Sequence, residues 1–341
     1  TLASFVREVM DSPLDLYEGP LFKVSLHKIK ETEFFFTIVK HHIIGDGWST
    51  GIMLEDLSKM YNAYQQGDKI FLGKPAQMSD YANAQNRFKN TQAYQQTEDF
   101  WINVFKGEVP VLDLPTDFPR QAPRTYRGQR IDCTLSKAFV SQIKAVGAKA
   151  GCSLVTTLLA AFEVFLYKTT NQKEIVVGLP ASGQAASGLY DLVGHCVNLL
   201  PLKTTVNANK SFADYLKKRK GQVLDAYDHQ RITFGELIKK LHIRRDPSRI
   251  PLVPVIFNID MGMDNAVAFD DLDYELISNP RAYEHFEIFL NATGSKDGLT
   301  LEWSYNTGLF SAKTINRFNA EFKAILEKIV LDPALSISEL T

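Results

Sequence analysis

Between residues 34 and 66 the chain changes its hydrophobic period, and that change fixes what the segment can become. Phe34-Phe35-Phe36-Thr37-Ile38-Val39 is an aromatic and β-branched run of strand length. Met53, Leu54, Leu57, Met60, Tyr61 and Tyr64 follow at spacings of three and four, which predicts a helix over about 49–66. Between them lies Lys40-His41-His42-Ile43-Ile44-Gly45-Asp46-Gly47-Trp48-Ser49. A strand thus delivers two histidines and an aspartate into a glycine-flanked loop that turns into a helix. Rigid elements hold such side chains while the loop leaves them accessible, so chemistry can be presented there.

Neighbouring residues on a strand point to opposite faces, so His41 and His42 are expected to do different jobs. One would face a cavity and do chemistry; the other would pack inward and hydrogen-bond the backbone. The same alternation argues against a metal, which wants both rings on one side as an i, i+4 helical pair supplies them. No third ligand stands nearby at a recognised metal spacing. Asp46 reads as a structural anion, neutralised by a buried Arg or Lys, that holds the loop. Gly47 lets a backbone N–H come close to whatever the histidine serves.

A chain of 341 residues exceeds the size at which one core keeps growing, so two lobes are expected. Lys plus Arg number 38 against 39 Asp plus Glu, a net of −1, which points to neither nucleic acid nor an anionic membrane as partner. Cys133, Cys152 and Cys196 are odd in number and widely spread, as reduced thiols of a cytoplasmic protein are. The start, Thr1-Leu2-Ala3-Ser4-Phe5, lacks a secretory signal and an initiator Met, and so reads as a fragment or excised domain. No apolar stretch reaches membrane-spanning length without charges.

Along the chain, residues 2–10 read as the end of a helix. Phe22–Ile29 and Phe34–Val39 form a hairpin about Glu31-Thr32. Pro110, Pro115, Pro119 and Pro123 forbid regular structure over 108–127. That stretch reads as an inter-lobe linker, centred on 113–127, between an N-terminal lobe (1–112) and a C-terminal lobe (128–341). The second lobe opens with a strand at 128–135 and a helix capped by Ser136 that runs to about 149. A helix at 153–168, apolar nearly all round, is expected to be buried. A strand at 174–180 leads to the small-residue loop 181–184. Strands at 253–261, 282–293 and 299–305 precede a closing helix at 311–331.

The HH-x-x-x-D-G spacing of His41, His42, Asp46 and Gly47 resembles the active-site motif of nonribosomal peptide synthetase condensation domains, members of the chloramphenicol-acetyltransferase-like acyltransferases. Further stretches resemble the family in the right order. They are Asp15-Leu16 with Gly19-Pro20-Leu21, then Asp80-Tyr81-Ala82, then Gly194-x-x-Val197-Asn198. After these come His229-x-x-x-Thr233-Phe234, where the family usually has proline at Thr233, and Arg245-Asp246-Pro247-Ser248-Arg249-Ile250-Pro251-Leu252.

The resemblance implies an α/β (α+β sandwich) class, two chloramphenicol-acetyltransferase-like lobes of similar form in a V, with a tunnel between them and the histidine motif midway. Segments that carry the family's first two motifs do not precede the hairpin, so the N-terminal lobe is expected to be incomplete. Donor and acceptor peptidyl carrier proteins would deliver substrates on phosphopantetheine thioesters beside an adenylation domain. No cofactor or metal would be bound directly. The acceptor amine would attack the donor thioester to form an amide in nonribosomal peptide synthesis. By position, His42 would be base or amine-positioning group and Gly47 N–H the oxyanion donor. His41, Asp46, Arg245 and Arg249 would support the site, and Trp48 and Asn198 would line the tunnel. A comparable glycine loop in the family often ends in Arg; Gln184 stands there, so the cation partner of Asp46 is open. His195 reads as a loop residue, not a second catalytic histidine.

The chemistry beneath this is modest. An amine attacks only when neutral and sheds a proton as it does so, which a neutral imidazole can accept or orient at cell pH. The oxyanion that develops calls for N–H donors, and holding both thioesters together supplies the rest. No Ser or Cys of the motif reads as a covalent nucleophile. A dehydrating subtype, a free-standing acyltransferase using coenzyme A or a soluble amine, and a non-catalytic recruitment module of the same fold are the alternatives.

Overall fold

The computed structural model describes residues 2–243, 246–261, 267–279, 281–295 and 297–340. In chain order its elements are α1 (Leu2–Asp11), β1 (Phe22–Lys30), β2 (Glu33–Lys40), α2 (Gly47–Gln65), α3 (Met78–Lys89) and α4 (Gln92–Val104). Then come β3 (Gly128–Ser136), α5 (Lys137–Lys149), α6 (Leu154–Thr170), β4 (Glu174–Ser182), α7 (Gly183–Ser187), β5 (Val197–Thr205), α8 (Phe212–Asp228) and α9 (Phe234–Lys240). The chain closes with β6 (Val255–Asp260), β7 (Ile288–Ser295), β8 (Gly298–Asn306), α10 (Ala312–Leu331) and α11 (Ile337–Leu340). Among the described residues, no single helix is long and apolar enough to cross a membrane.

By their contacts these elements form two compact units. The first comprises Thr1–Asn86, Ser182–Val197 and Met263–Asn279, and the second the remainder. The expected division at 113–127 is not where the units part. The segment 108–126 does lack helix and strand, as its prolines require. Yet it is stitched into the second unit: Asp117 N–H donates to Leu309 O at 2.9 Å, and Arg120 grips Glu287 with Nε and Nη2, each at 2.9 Å.

In the first unit β1 and β2 pair antiparallel, with Phe22 opposite Lys40 and Lys28 opposite Phe34. Alternation puts Phe22, Val24, Leu26, Phe34 and Phe36 on one face, where each is exposed. On the other face, Phe5 of α1 sits against His27 with ring centroids 4.0 Å apart. Asn62 of α2 fastens the described segment 267–279, donating to Ala268 O and accepting from Asp270 N–H, each at 2.8 Å.

The second unit is built on a six-stranded sheet of order β3-β8-β7-β6-β4-β5. β8 runs antiparallel to both β3 and β7, and β6 runs parallel to β7 and β4. Helices α5, α6 and α10 lie against it, and Phe162, Phe165, Phe318, Phe322 and Trp303 interlock in the core. Ser136 caps α5 by accepting Phe139 N–H, as expected. β7 starts at Ile288, not 282, because the amides of Glu284 and Glu287 bond away to Tyr126 O and Pro254 O.

Candidate active site

β2 ends at Lys40, and the expected alternation of the two histidines does not hold because neither is on the strand. His41 is extended and caps a single 3-10 turn, His42–Ile44, with its Nδ1 accepting Ile43 N–H at 3.1 Å. His41 N–H in turn donates to Leu21 O at 2.8 Å. Turn geometry, not strand pleat, therefore separates the rings. His41 is tied to the backbone, and His42 is exposed.

Asp46 then caps α2 with a capping box: its Oδ1 accepts Ser49 N–H at 3.0 Å, and Ser49 Oγ accepts Asp46 N–H at 3.3 Å. This leaves Gly47 as the first residue of a 19-residue helix, where an amide has no acceptor within the helix. The N-terminal end of α2 also carries the positive end of the helix dipole.

Among the described residues no guanidinium bonds the Asp46 carboxylate; of the Arg or Lys expected to neutralise it, the structure supplies Lys40, which does not bond the carboxylate itself. Asp46 is 5% exposed, and its carboxylate is met by neutral donors. Gln184 Nε2 lies 3.1 Å from both oxygens, Cys196 N–H is 2.9 Å from Oδ2, and Ser49 Oγ is 2.8 Å from Oδ1. The nearby cation is Lys40, whose Nζ reaches the main-chain carbonyl of Asp46 at 3.2 Å and the hydroxyl of Thr50. Burial pushes the Asp46 carboxyl up. The N–H groups of Ser49 and Cys196, with the Gln184 and Ser49 side chains, pull it down further, so it titrates below its ordinary range. Burial lowers the Lys40 ammonium, and Asp46 partly restores it. Burial and then the Asp46 charge push the Cys196 thiol up to about 11, so it is no nucleophile at neutral pH.

The same cluster clamps the segment 194–196. Gly194 N–H donates to Ser49 Oγ at 3.0 Å, while Gly194 O lies 2.9 Å from Ser49 Oγ and 3.2 Å from Gln184 Nε2. Here the backbone lies close against Met78: a Cβ at 194 would stand 2.1 Å from Met78 Sδ, so that side chain would have to shift. Helix α3, opened by the Asp80-Tyr81-Ala82 stretch, thus braces this segment through Met78, and Tyr81 OH donates to Cys196 O at 3.4 Å. Between two pinned neighbours, His195 presents its ring to His42: Nδ1 to Nδ1 is 3.0 Å, with centroids 4.7 Å apart and planes at 89°. His195 lies in a loop, as expected, and the contact with His42 is what the loop assignment alone does not reveal.

Trp48 is partly exposed, and its Nε1 donates to Tyr190 O at 3.0 Å. Asn198 belongs to the second unit, where its side chain is fully engaged. Nδ2 donates to Gln230 O and Ile232 O at 2.8 and 2.6 Å, and Oδ1 accepts Phe234 N–H at 3.0 Å. It is a clamp between β5 and the start of α9, with both Nδ2 hydrogens spent on main-chain carbonyls. Arg249 pairs with Asp113 at 2.7 Å in the same unit, and Ser248 N–H closes a turn on Asp246 at 2.8 Å. Those charges hold a turn within the second unit; Arg245 lies outside the described residues. Among the described residues no group of three or more His, Cys, Asp or Glu could hold a metal ion.

With that geometry in hand, similarity to known proteins decides the family. A family profile described as Condensation domain matches residues 1–341. The chain belongs to the condensation-domain family. It is 32% identical over 338 residues to tyrocidine synthase 3 of Brevibacillus parabrevis, covering 99% of this chain and 5% of that protein. It is 36% identical over 327 residues to surfactin synthase subunit 2 of Bacillus subtilis, covering 96% of this chain and 9% of that protein. The chain therefore spans less than a tenth of these relatives. The condensation domain of the Monacolin K polyketide synthase MokA superposes with a TM-score of 0.87 at 18% identity, over 98% of this chain and 78% of that one. The fold is thus the mixed α/β, chloramphenicol-acetyltransferase-like one of condensation domains.

Two features of this condensation domain were not assigned from its sequence. The residues alone show Gln184 as a departure from the arginine frequent in the family and His195 as a loop residue; neither position reveals its partner.

Proposed function

We propose that this condensation domain forms peptide bonds. It would transfer a donor aminoacyl, peptidyl or acyl group from one carrier-protein thioester to the amine of an acceptor aminoacyl thioester. The work would take place in the cytoplasm beside an adenylation domain. The observation that carries the reading is the joint placement of His42 on its 3-10 turn and Gly47 at the head of α2, held together through Asp46.

The acceptor nitrogen attacks the thioester carbonyl carbon, and a C–N bond forms as the carbonyl oxygen becomes an oxyanion. His42 takes the proton that the amine sheds. Gly47 N–H, aided by the α2 dipole, donates to the oxyanion. Collapse breaks the C–S bond, and the pantetheine sulfur leaves as a thiolate that takes a proton back. His41 and Asp46 hold the loop. Phosphopantetheine enters only as the arm on which each substrate arrives, and no bound cofactor is needed.

The test is intact-protein mass spectrometry of loaded carriers, with His42→Ala in parallel. Wild type should add the donor mass to the acceptor carrier, and His42→Ala should be slower by roughly 10²–10⁴-fold. Transfer by wild type at an undiminished rate in His42→Ala would remove the assigned role. No transfer by wild type, with carriers bound, would favour a recruitment module.

A further inference from the structure

We propose that His195 is a positioning residue that fixes the tautomer and orientation of His42. The two Nδ1 atoms stand 3.0 Å apart, a distance at which one ring must carry a proton on Nδ1 and the other a lone pair. In either arrangement Nδ1 of His42 is engaged, so its proton chemistry falls to Nε2. Were His195 the donor, neutral His42 would bear its proton on Nε2 and could not accept another there. The productive arrangement has His42 donate Nδ1–H to His195 Nδ1, which makes Nε2 the basic nitrogen. When His42 becomes imidazolium, that hydrogen bond becomes charge-assisted and strengthens.

His195 is well placed for this because its backbone has little freedom. Gly194 is held on its N-terminal side by Ser49 and Gln184, and Cys196 N–H is held on the other by Asp46. Asp46 also caps α2, a few residues beyond His42 in the same loop. One buried carboxylate therefore sets the frame from which both rings approach. The two Nδ1 atoms meet at 3.0 Å with the ring planes at 89°. The kinetic consequence rests on the transfer proposed above; the tautomer does not.

The experiment is long-range ¹H–¹⁵N correlation on the ¹⁵N-histidine-labelled chain, assigned with His42→Ala and His195→Ala. Wild type should show His42 protonated at Nδ1 and bare at Nε2, and His195→Leu should lose that preference. An Nε2–H tautomer in wild type, or the same tautomer in His195→Leu, overturns the proposal. In carrier-loaded transfer, His195→Leu should lose about tenfold in kcat with KM unchanged for either carrier. His195→Asn, whose Oδ1 can still accept, should recover most of it. Equal kcat in His195→Leu and wild type also overturns the proposal. If His195→Leu does not fold, the wild-type tautomer and His195→Asn decide. If wild type transfers nothing, the functional reading fails while the tautomer still judges His195.

Discussion

Replacing Gln184 by leucine removes a donor from a buried carboxylate at nearly constant volume. Gln184 is 0% exposed, and its Nε2 supplies both Asp46 oxygens at 3.1 Å. The rest of the damage is small. Oδ1 keeps Ser49 N–H, Oδ2 keeps Cys196 N–H, and Gly194 O keeps Ser49 Oγ. The loss is therefore that of one charge-assisted donor group, about 2 kcal/mol. Native-state hydrogen exchange of the Ser49 and Cys196 amides reads it directly, because both donate to Asp46. At that cost their protection should fall roughly thirtyfold. The sign with pH follows from the lowered Asp46 pKa. A carboxyl whose folded pKa lies below its unfolded value of about 3.9 stabilises fully above that value and loses the contribution as pH falls through the folded one. Leucine at 184 moves the folded pKa back up, so the deficit in unfolding free energy should be constant at neutral pH and narrow below about pH 4. A protection change under twofold, or a deficit that grows on acidification, would refute the account of Asp46.

Gly47→Pro deletes the amide proposed for the oxyanion at a helix position where proline fits. It should cost kcat roughly 10²–10³-fold in carrier-loaded transfer, while Gly47→Ala, which keeps the N–H, should cost far less. In the second unit, Glu163 of α6 and Arg219 of α8 pair at 2.7 Å while 0% and 1% exposed. Arg219→Met should lower stability to denaturant by about 3–5 kcal/mol, and Glu163→Leu with Arg219→Met should restore most of it, because only the single variant leaves a charge buried alone.

Where the hydrophobic period was clean, the fold could be read from the residues. The hairpin, the helix after Asp46, the Ser136 cap and the buried helix over Leu154–Thr170 lie where the pattern put them. α8 was not foreseen because its buried stripe, Phe212, Tyr215, Leu216, Arg219, Val223 and Ala226, runs through an arginine that a hydrophobic count scores as surface. α4 hides the same way, burying Thr97 and Glu98 beside Trp101. In the proposed site, the spacing singles out the residues carried on one continuous stretch, His41, His42, Asp46 and Gly47, but not the 3-10 turn that separates the two rings. What was not legible is what the chain brings back. Residues 182–197 return to the first unit from between two strands of the second unit's sheet, and periodicity holds no information about that return.

The returning segment explains how Asp46 does without an arginine. A guanidinium supplies charge and direction in one side chain; here the two are divided. Direction comes from Ser49 on α2, Gln184 on α7 and the Cys196 amide ahead of β5, each within 3.1 Å of a carboxylate oxygen. Charge comes from Lys40, which stands on the main-chain carbonyl of the same aspartate. The neutral donors outweigh the burial that would otherwise protonate the carboxyl, so it stays ionised where most buried acids would not. An ionised Asp46 can then bind all three donors at once, whereas a protonated one would turn one of its oxygens into a donor facing donors. The carboxylate thus joins the head of α2, which carries Gly47, to the segment that carries His195. The groups proposed to handle the oxyanion and to orient the base are therefore set by one titratable side chain.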